Sequence, residues 1–136
     1  MEWKIELVVM PVSDVDRAKA FYSEKMGFKV DLDHQNGDTF RVVQLTPPGS
    51  ACSIAIGTGL SSMPPGAVQG VQLVVGNIEA ARNELVERGV AVSPIRTFVD
   101  GAWVDAEPPF AMWNAFFFFS DPDGNGWAVQ LGSNRS

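Results

Sequence analysis

Val12-Ser13-Asp14-Val15-Asp16-Arg17-Ala18-Lys19-Ala20-Phe21-Tyr22 has a counterpart later in the chain, Val75-Gly76-Asn77-Ile78-Glu79-Ala80-Ala81-Arg82-Asn83-Glu84-Leu85. In both, a β-branched run ends and a short polar residue, Asp14 or Asn77, stands where it caps a helix. Apolar residues then recur at spacings of three and four, which places them on one helical stripe. The stripe is Val15, Ala18, Phe21 and Tyr22 in the first copy, and Ile78, Ala81, Leu85 and Val86 in the second. Each helix is predicted to stop at a glycine suited to the left-handed position after a C-terminus, Gly27 or Gly89.

The flanks of the two copies agree as well. A strand is expected after each glycine, over Phe28–Leu32 and over Val90–Ser93. The turn Thr46-Pro47-Pro48-Gly49-Ser50 precedes the strand Ser53–Gly57, and Asp121-Pro122-Asp123-Gly124-Asn125 precedes Ala128–Gly132. In such turns proline presets one φ and glycine supplies the positive one. Each half therefore reads strand, helix, strand, strand, strand. The predicted fold is α+β, two βαβββ modules with eight strands and two helices in curled mixed sheets. Module one is 1–57, a linker rich in Gly, Ser and Pro covers 58–67, and module two is 68–136, all within a single domain.

The chain has 136 residues, 46% apolar and 19% charged, ordinary values for a globular domain with a real core. Its net charge of −6 repels phosphate backbones, and no basic stripe interleaved with aromatics is present. Nucleic acid is excluded as an expected partner, and a cationic ligand is favoured over an anionic one. The one cysteine, Cys52, precludes an intrachain disulfide. With no apolar run of spanning length and no signal-peptide pattern at Met1–Glu6, the reading is a cytoplasmic protein without a membrane partner.

A duplicated βαβββ unit carrying Pro11–Tyr22, Met26-Gly27-Phe28 and Asp121-Pro122-Asp123-Gly124-Asn125 resembles the vicinal oxygen chelate superfamily, the glyoxalase, bleomycin-resistance and dioxygenase group, across nearly the whole chain. The resemblance implies two sheets curled round a shared cavity. It also implies, in metal-dependent members, ligands projecting from the first and last strand of each module. Here those positions hold Leu7, Ala55 or Ser53, Gly70 or Gln72, and Ala128 or Gln130. Two neutral amides at most make a poor site for a divalent first-row ion, which wants imidazole or carboxylate. No metal and no other cofactor is expected.

The ligand-binding residues nominated are therefore Leu7, Val9, Ala55, Gln72, Trp103, Trp113 and Gln130. Gln72 and Gln130, in otherwise apolar strands, either orient a ligand or face water or bond to each other. Asp100–Asn114 reads as a long loop or hairpin arm, where Trp103 and Trp113 either cover a flat ligand or pack against a neighbouring subunit or module. Trp113 is placed at the start of the next strand, and Trp127 in the core. Phe116–Phe119 reads as a strand covered on both faces, two of the four being able to line a pocket.

Arg41 and Gln44 fall on opposite faces of one strand, so at most one turns toward a cavity. Cys52 has no neighbouring histidine or basic cluster and reads as a buried structural thiol. His34 reads as an exposed residue in a turn. No catalytic residue is nominated. A small-molecule binding protein, working as a homodimer, is the reading preferred. The alternatives are a metal-dependent lyase, isomerase or dioxygenase, and a metal-free enzyme using His34, Glu107 or an aspartate as base.

Overall fold

A computed structural model describes residues 1–133; the last three residues assigned to module two lie outside them. The chain divides into two compact units, Met1–Val68 with Asp121–Asn125, and Gln69–Ser120 with the residues from Gly126 on.

In the first unit β1 (Leu7–Val9) is followed by α1 (Val15–Ala20), β2 (Lys29–Asn36), β3 (Phe40–Thr46) and β4 (Ser53–Thr58). The sheet order is β1-β4-β3-β2, with β1 parallel to β4 and the other pairs antiparallel. Asp14 caps α1 by accepting from the Arg17 amide at 3.0 Å. The helix widens into a π-turn over Phe21–Lys25 and ends at Gly27, whose φ is 73°. Val43, Leu45, Ile54 and Ile56 face α1 and are buried with Ala18, Phe21 and Tyr22, which forms the first core.

The turn Asp121–Asn125 belongs to this unit by its bonds. Asp121 and Asn125 are both buried. The Asp121 carboxylate accepts from the Tyr22 hydroxyl and from the Asn125 amide, each at 2.8 Å. Asn125 also donates to the Pro11 carbonyl at 2.8 Å. Ser13 and Arg17 donate to Asp123. The motif that resembled a family signature thus spends its polar atoms on a structural clamp, because buried polar groups must be paired.

The second unit contains β5 (Val71–Val75), α2 (Ile78–Glu87), β6 (Arg96–Val99), β7 (Ala102–Asp105), β8 (Phe116–Ser120) and β9 (Gly126–Leu131), in sheet order β5-β9-β8-β6-β7. Asn77 caps α2 through the Ala80 amide at 3.0 Å, and Gly89 ends it with φ 81°. Phe117, Phe119, Trp127, Val129 and Leu131 are buried, as are Ile78 and Leu85 of α2. Val86, assigned to the apolar stripe, is exposed instead.

Further sequence expectations change in this part of the chain and in β2. Among the described residues the strand count is nine, not eight, because Asp100 and Gly101 both take positive φ and close a tight β6–β7 hairpin. Val90–Ser93 is not a strand: Pro94 has no N–H to continue a ladder, and Ser93 substitutes by bonding Phe118 through both its amide and its hydroxyl, each at 2.9 Å. His34 lies inside β2, since the strand runs on to Asn36 and the turn begins at Gly37.

Candidate functional site

Each sheet has one face toward its helix and one away from it, and strand register assigns every side chain to one or the other. In the first sheet Leu7 pairs with Ser53 and Val9 with Ala55, so these four share the face away from α1. Gln44 pairs with Ala55 and lies on that face too. Thr46 joins them: its hydroxyl contacts the Ser53 hydroxyl at 2.6 Å and donates to the Asp31 carboxylate.

Arg41 lies on the opposite, helix-facing side. It grips Asp33 through two nitrogens at 3.1 and 2.9 Å and reaches Asp16 on α1 at 2.8 Å; Lys19 reaches Asp33 at 2.8 Å. The Arg41 hydrogen bonds, then the Lys19 one, hold the Asp33 carboxyl well below the usual carboxylate range. The same bonds to Asp33 and Asp16 push the Arg41 guanidinium further up. Arg41 is therefore a tether between sheet and helix, and Gln44 is the partner of the pair that stands on the free face.

The second sheet differs. Gln72 pairs with Ala128, which pairs with Phe118; Val74 pairs with Gln130, which pairs with Phe116, itself paired with Arg96. All share the face away from α2. The hairpin adds Phe98 and Trp103, paired with each other across β6–β7. The Trp103 ring stands edge-on to Phe116 at 5.1 Å and to Phe118 at 5.2 Å, and lies 5.1 Å from Phe98. Edge-to-face geometry suits the opposed charge of ring edge and ring face. Trp103 remains 45% exposed and Phe98 47%, so this aromatic surface is accessible. The hairpin is held against β8 by Asn114, whose side chain accepts from the Phe98 amide at 2.9 Å and donates to the Phe98 carbonyl at 3.1 Å.

The two glutamines meet. Gln72 Nε2 donates to Gln130 Oε1 at 3.1 Å, and Gln130 Nε2 donates to the Trp113 carbonyl at 2.9 Å. Trp113 lies in a turn before β8 and does not begin that strand, with φ 67° in the left-handed region. Its ring takes the space a side chain on Gly132 would need, a Cβ there clashing with Trp113 and with Val74. A cleft of about 580 Å3 shares Phe118 and Ala128 with this region, with Gln69, Gly70 and Gly126 among its other walls. That volume falls among those of small-molecule sites, about 300–1,000 Å3.

The nominated residues thus fall into two groups, Leu7, Val9 and Ala55 on the first sheet, and Gln72, Gln130, Trp113 and Trp103 on the second. Phe98, Phe116 and Phe118 complete the second group. The Asp100-Gly101 turn signal, which pairs Phe98 with Trp103, was the clue to their register. Gly70 spends its amide on the Gly126 carbonyl at 3.1 Å. His34 is exposed on β2, Glu107 is exposed, and Cys52 is half-buried, not buried as expected from the sequence.

A divalent ion does not fit this donor set. Leu7, Val9 and Ala55 offer hydrocarbon, the Ser53 hydroxyl is committed to Thr46, Gln130 Oε1 is committed to Gln72, and the Gln72 Oε1 that remains is a single neutral oxygen. Among the described residues no three His, Cys, Asp or Glu side chains gather at a site that would hold a metal ion.

Known proteins bear directly on this geometry. The family described as the Glyoxalase/Bleomycin resistance protein/Dioxygenase superfamily matches residues 4–129. TnmS3, an antibiotic binding protein from Streptomyces sp. CB03234, has a crystal structure that superposes with a TM-score of 0.75 at 33% identity, covering 97% of this chain and 98% of that one. A glyoxalase/bleomycin resistance protein from the same organism gives 0.71 at 34% identity, covering 93% of this chain and 99% of the other. An uncharacterised protein of Bacillus subtilis, YetH, is 27% identical over 90% of this chain and 92% of its own length.

Proposed function

Since the chain belongs to the glyoxalase/bleomycin resistance protein/dioxygenase superfamily, we propose that it binds a flat, apolar or cationic small molecule without a metal. The observation that carries this reading is the face of the second sheet, where Phe98, Trp103, Phe116 and Phe118 form one accessible aromatic surface beside a hydrogen-bonded glutamine pair. Aromatic faces attract both planar rings and cations, and the net charge of −6 favours the latter. The likeness to an antibiotic binding protein at 33% identity supports a small-molecule ligand. Affinity comes from buried apolar area, at roughly 25 cal/mol per Å2 before ordering costs.

The protein is taken to act as a cytoplasmic homodimer. The β6–β7 hairpin exposes Val99 and Val104 on its second face, and Trp3 and Ile5 near the start are exposed as well; apolar groups so placed are best covered by another subunit. Light scattering at micromolar concentration should give twice the 14.7 kDa chain mass.

The test of the function is titration of untagged protein with 9-aminoacridine, followed by tryptophan fluorescence, together with metal analysis. Saturable quenching in protein stripped by chelator is the expected result. One equivalent of zinc, nickel, iron or manganese per chain, with quenching lost on chelation, would favour the metal-dependent lyase, isomerase or dioxygenase reading instead.

A further inference from the structure

We infer that Gln72 sets ligand specificity, selecting planar aromatic molecules that carry a hydrogen-bond donor, a hydroxyl or an ammonium, at the ring edge. The inference rests on the binding reading above and deepens it.

The reasoning begins at the Trp113 carbonyl. A carbonyl oxygen only accepts, so the end of the Gln130 amide 2.9 Å from it is the nitrogen. Gln130 Oε1 is then the acceptor facing Gln72 at 3.1 Å, and Gln72 must present its own nitrogen there. Gln72 Oε1 is left over, and among the described residues that oxygen has no protein partner. The direction of every amide in the relay follows from one backbone atom.

That atom is held in place. The Trp113 amide donates to the Leu131 carbonyl at 2.8 Å, and the Trp113 ring fills the space above Gly132. Gln72 is accordingly a preset acceptor and not a free rotor, and a preset group loses less entropy on binding.

Its position fits a ring. Gln72, Ala128 and Phe118 lie in one row across β5, β9 and β8. Neighbouring strands are about 4.8 Å apart, so Gln72 and Phe118 are separated by roughly 10 Å at the backbone. Ala128 between them has only a methyl group. A planar molecule laid over Ala128 against Phe118 brings its edge to Gln72 Oε1. A ligand lacking a donor there strips water from an acceptor and returns nothing, which costs affinity.

The discriminating pair of probes is 1-hydroxypyrene and 1-methoxypyrene, alike in shape and differing in the donor. With the full-length protein, probe fluorescence should show the hydroxyl compound bound about three- to tenfold more tightly. Gln72→Met, which keeps length and removes the acceptor at an exposed position, should bring the ratio within about twofold. Gln130→Met, which leaves Gln72 in place but frees its amide, should reduce the ratio as well. Equal binding of the two probes by the unaltered protein, with Trp103→Ala weakening both, would overturn the role of Gln72 and leave the aromatic surface standing. Failure of both probes and of 9-aminoacridine to bind would overturn the inference together with the function it rests on.

Discussion

Strands β1, β4, β3 and β2 of the first unit and β5, β9, β8 and β6 of the second lie in the same order, yet the faces they turn away from their helices differ. The first carries Leu7, Val9, Ala55 and Gln44 with a short chain of hydroxyls ending on Asp31. The second carries four aromatic rings and two linked amides. What the two units share is what makes the scaffold: the cap, the stop glycine, the strand order and a buried helix-facing side of each sheet. The free face lies outside that shared set, and it is where the two units differ. Recognition is concentrated where the rings are, and the extra strand β7 adds Trp103, the ring that touches the other three.

The largest expected effect separates the two faces of one strand. Phe117 is wholly buried on the helix side of β8, and Phe116, its neighbour, is half-buried on the free face. Phe117→Ala should cost about 3–5 kcal/mol in urea unfolding, the range for truncating a buried aromatic ring. Phe116→Ala should cost about 1–2 kcal/mol, because less apolar area is lost from burial. Equal costs would mean that the free face is as much core as the helix face, and the division into scaffold and recognition surface would fail.

Next in size is the difference between the sheets in binding. Trp103→Ala removes the ring that touches three others, and should weaken 1-methoxypyrene about tenfold, an aromatic contact plus its buried area. Val9→Ala on the first sheet should change it by less than about twofold, since one half-buried pair of methyl groups is at stake. A larger effect at Val9 than at Trp103 would move the site to the first sheet.

How much of this was readable in the sequence depended on whether the signal was local. Caps, stop glycines and turns are set by residues a few positions apart, and Asp14, Asn77, Gly27 and Gly89 announced both helices. The pairing of Phe98 with Trp103 follows from Asp100-Gly101, but their meeting with Phe116 and Phe118 depends on β6 lying beside β8, a long-range fact. Phe116–Phe119 hid its alternation because all four positions carry the same residue, and only neighbours in space distinguish the buried pair from the free one. Val90–Ser93 looked like a strand by composition, and Pro94 together with the Ser93–Phe118 bonds displaced the strand to Arg96. The glutamines could be named from the sequence as polar residues in apolar strands; that they bond to each other required the register of β5 on β9.

The units also differ in how helix and sheet are tied. In the first, Arg41, Asp33, Asp16 and Lys19 link β2 and β3 to α1, with Arg41 17% and Asp33 25% exposed at the side chain. Two ion pairs among the described residues of the second unit, Arg88 with Glu84 and Arg96 with Asp105, are more exposed and local in sequence. Because the Asp33 carboxyl is lowered in the folded chain, its contribution is fully present above the unfolded carboxylate value, about pH 4, and is lost progressively as pH falls from there through the lower folded value. Asp33→Asn should therefore cost on the order of 1 kcal/mol at pH 7 and progressively less as pH falls below about 4. A cost independent of pH would assign Asp33 a packing role rather than an electrostatic one.

The smallest effect bears on the likeness of the two copies and not on their difference. Asp14 and Asn77 make the same bond at the same length to the amide three residues on. Asn and Asp are near-equal caps, so exchanging them should alter stability only through the helix dipole. Asn77→Asp should gain a few tenths of a kcal/mol and Asp14→Asn should lose about as much, with the signs converging in high salt. Alanine at either position should cost about 1 kcal/mol, alike in the two units. If the exchange proves costly at one cap and free at the other, the two helix starts are not interchangeable parts, and the contrast drawn between shared scaffold and differing face would have to include the scaffold itself.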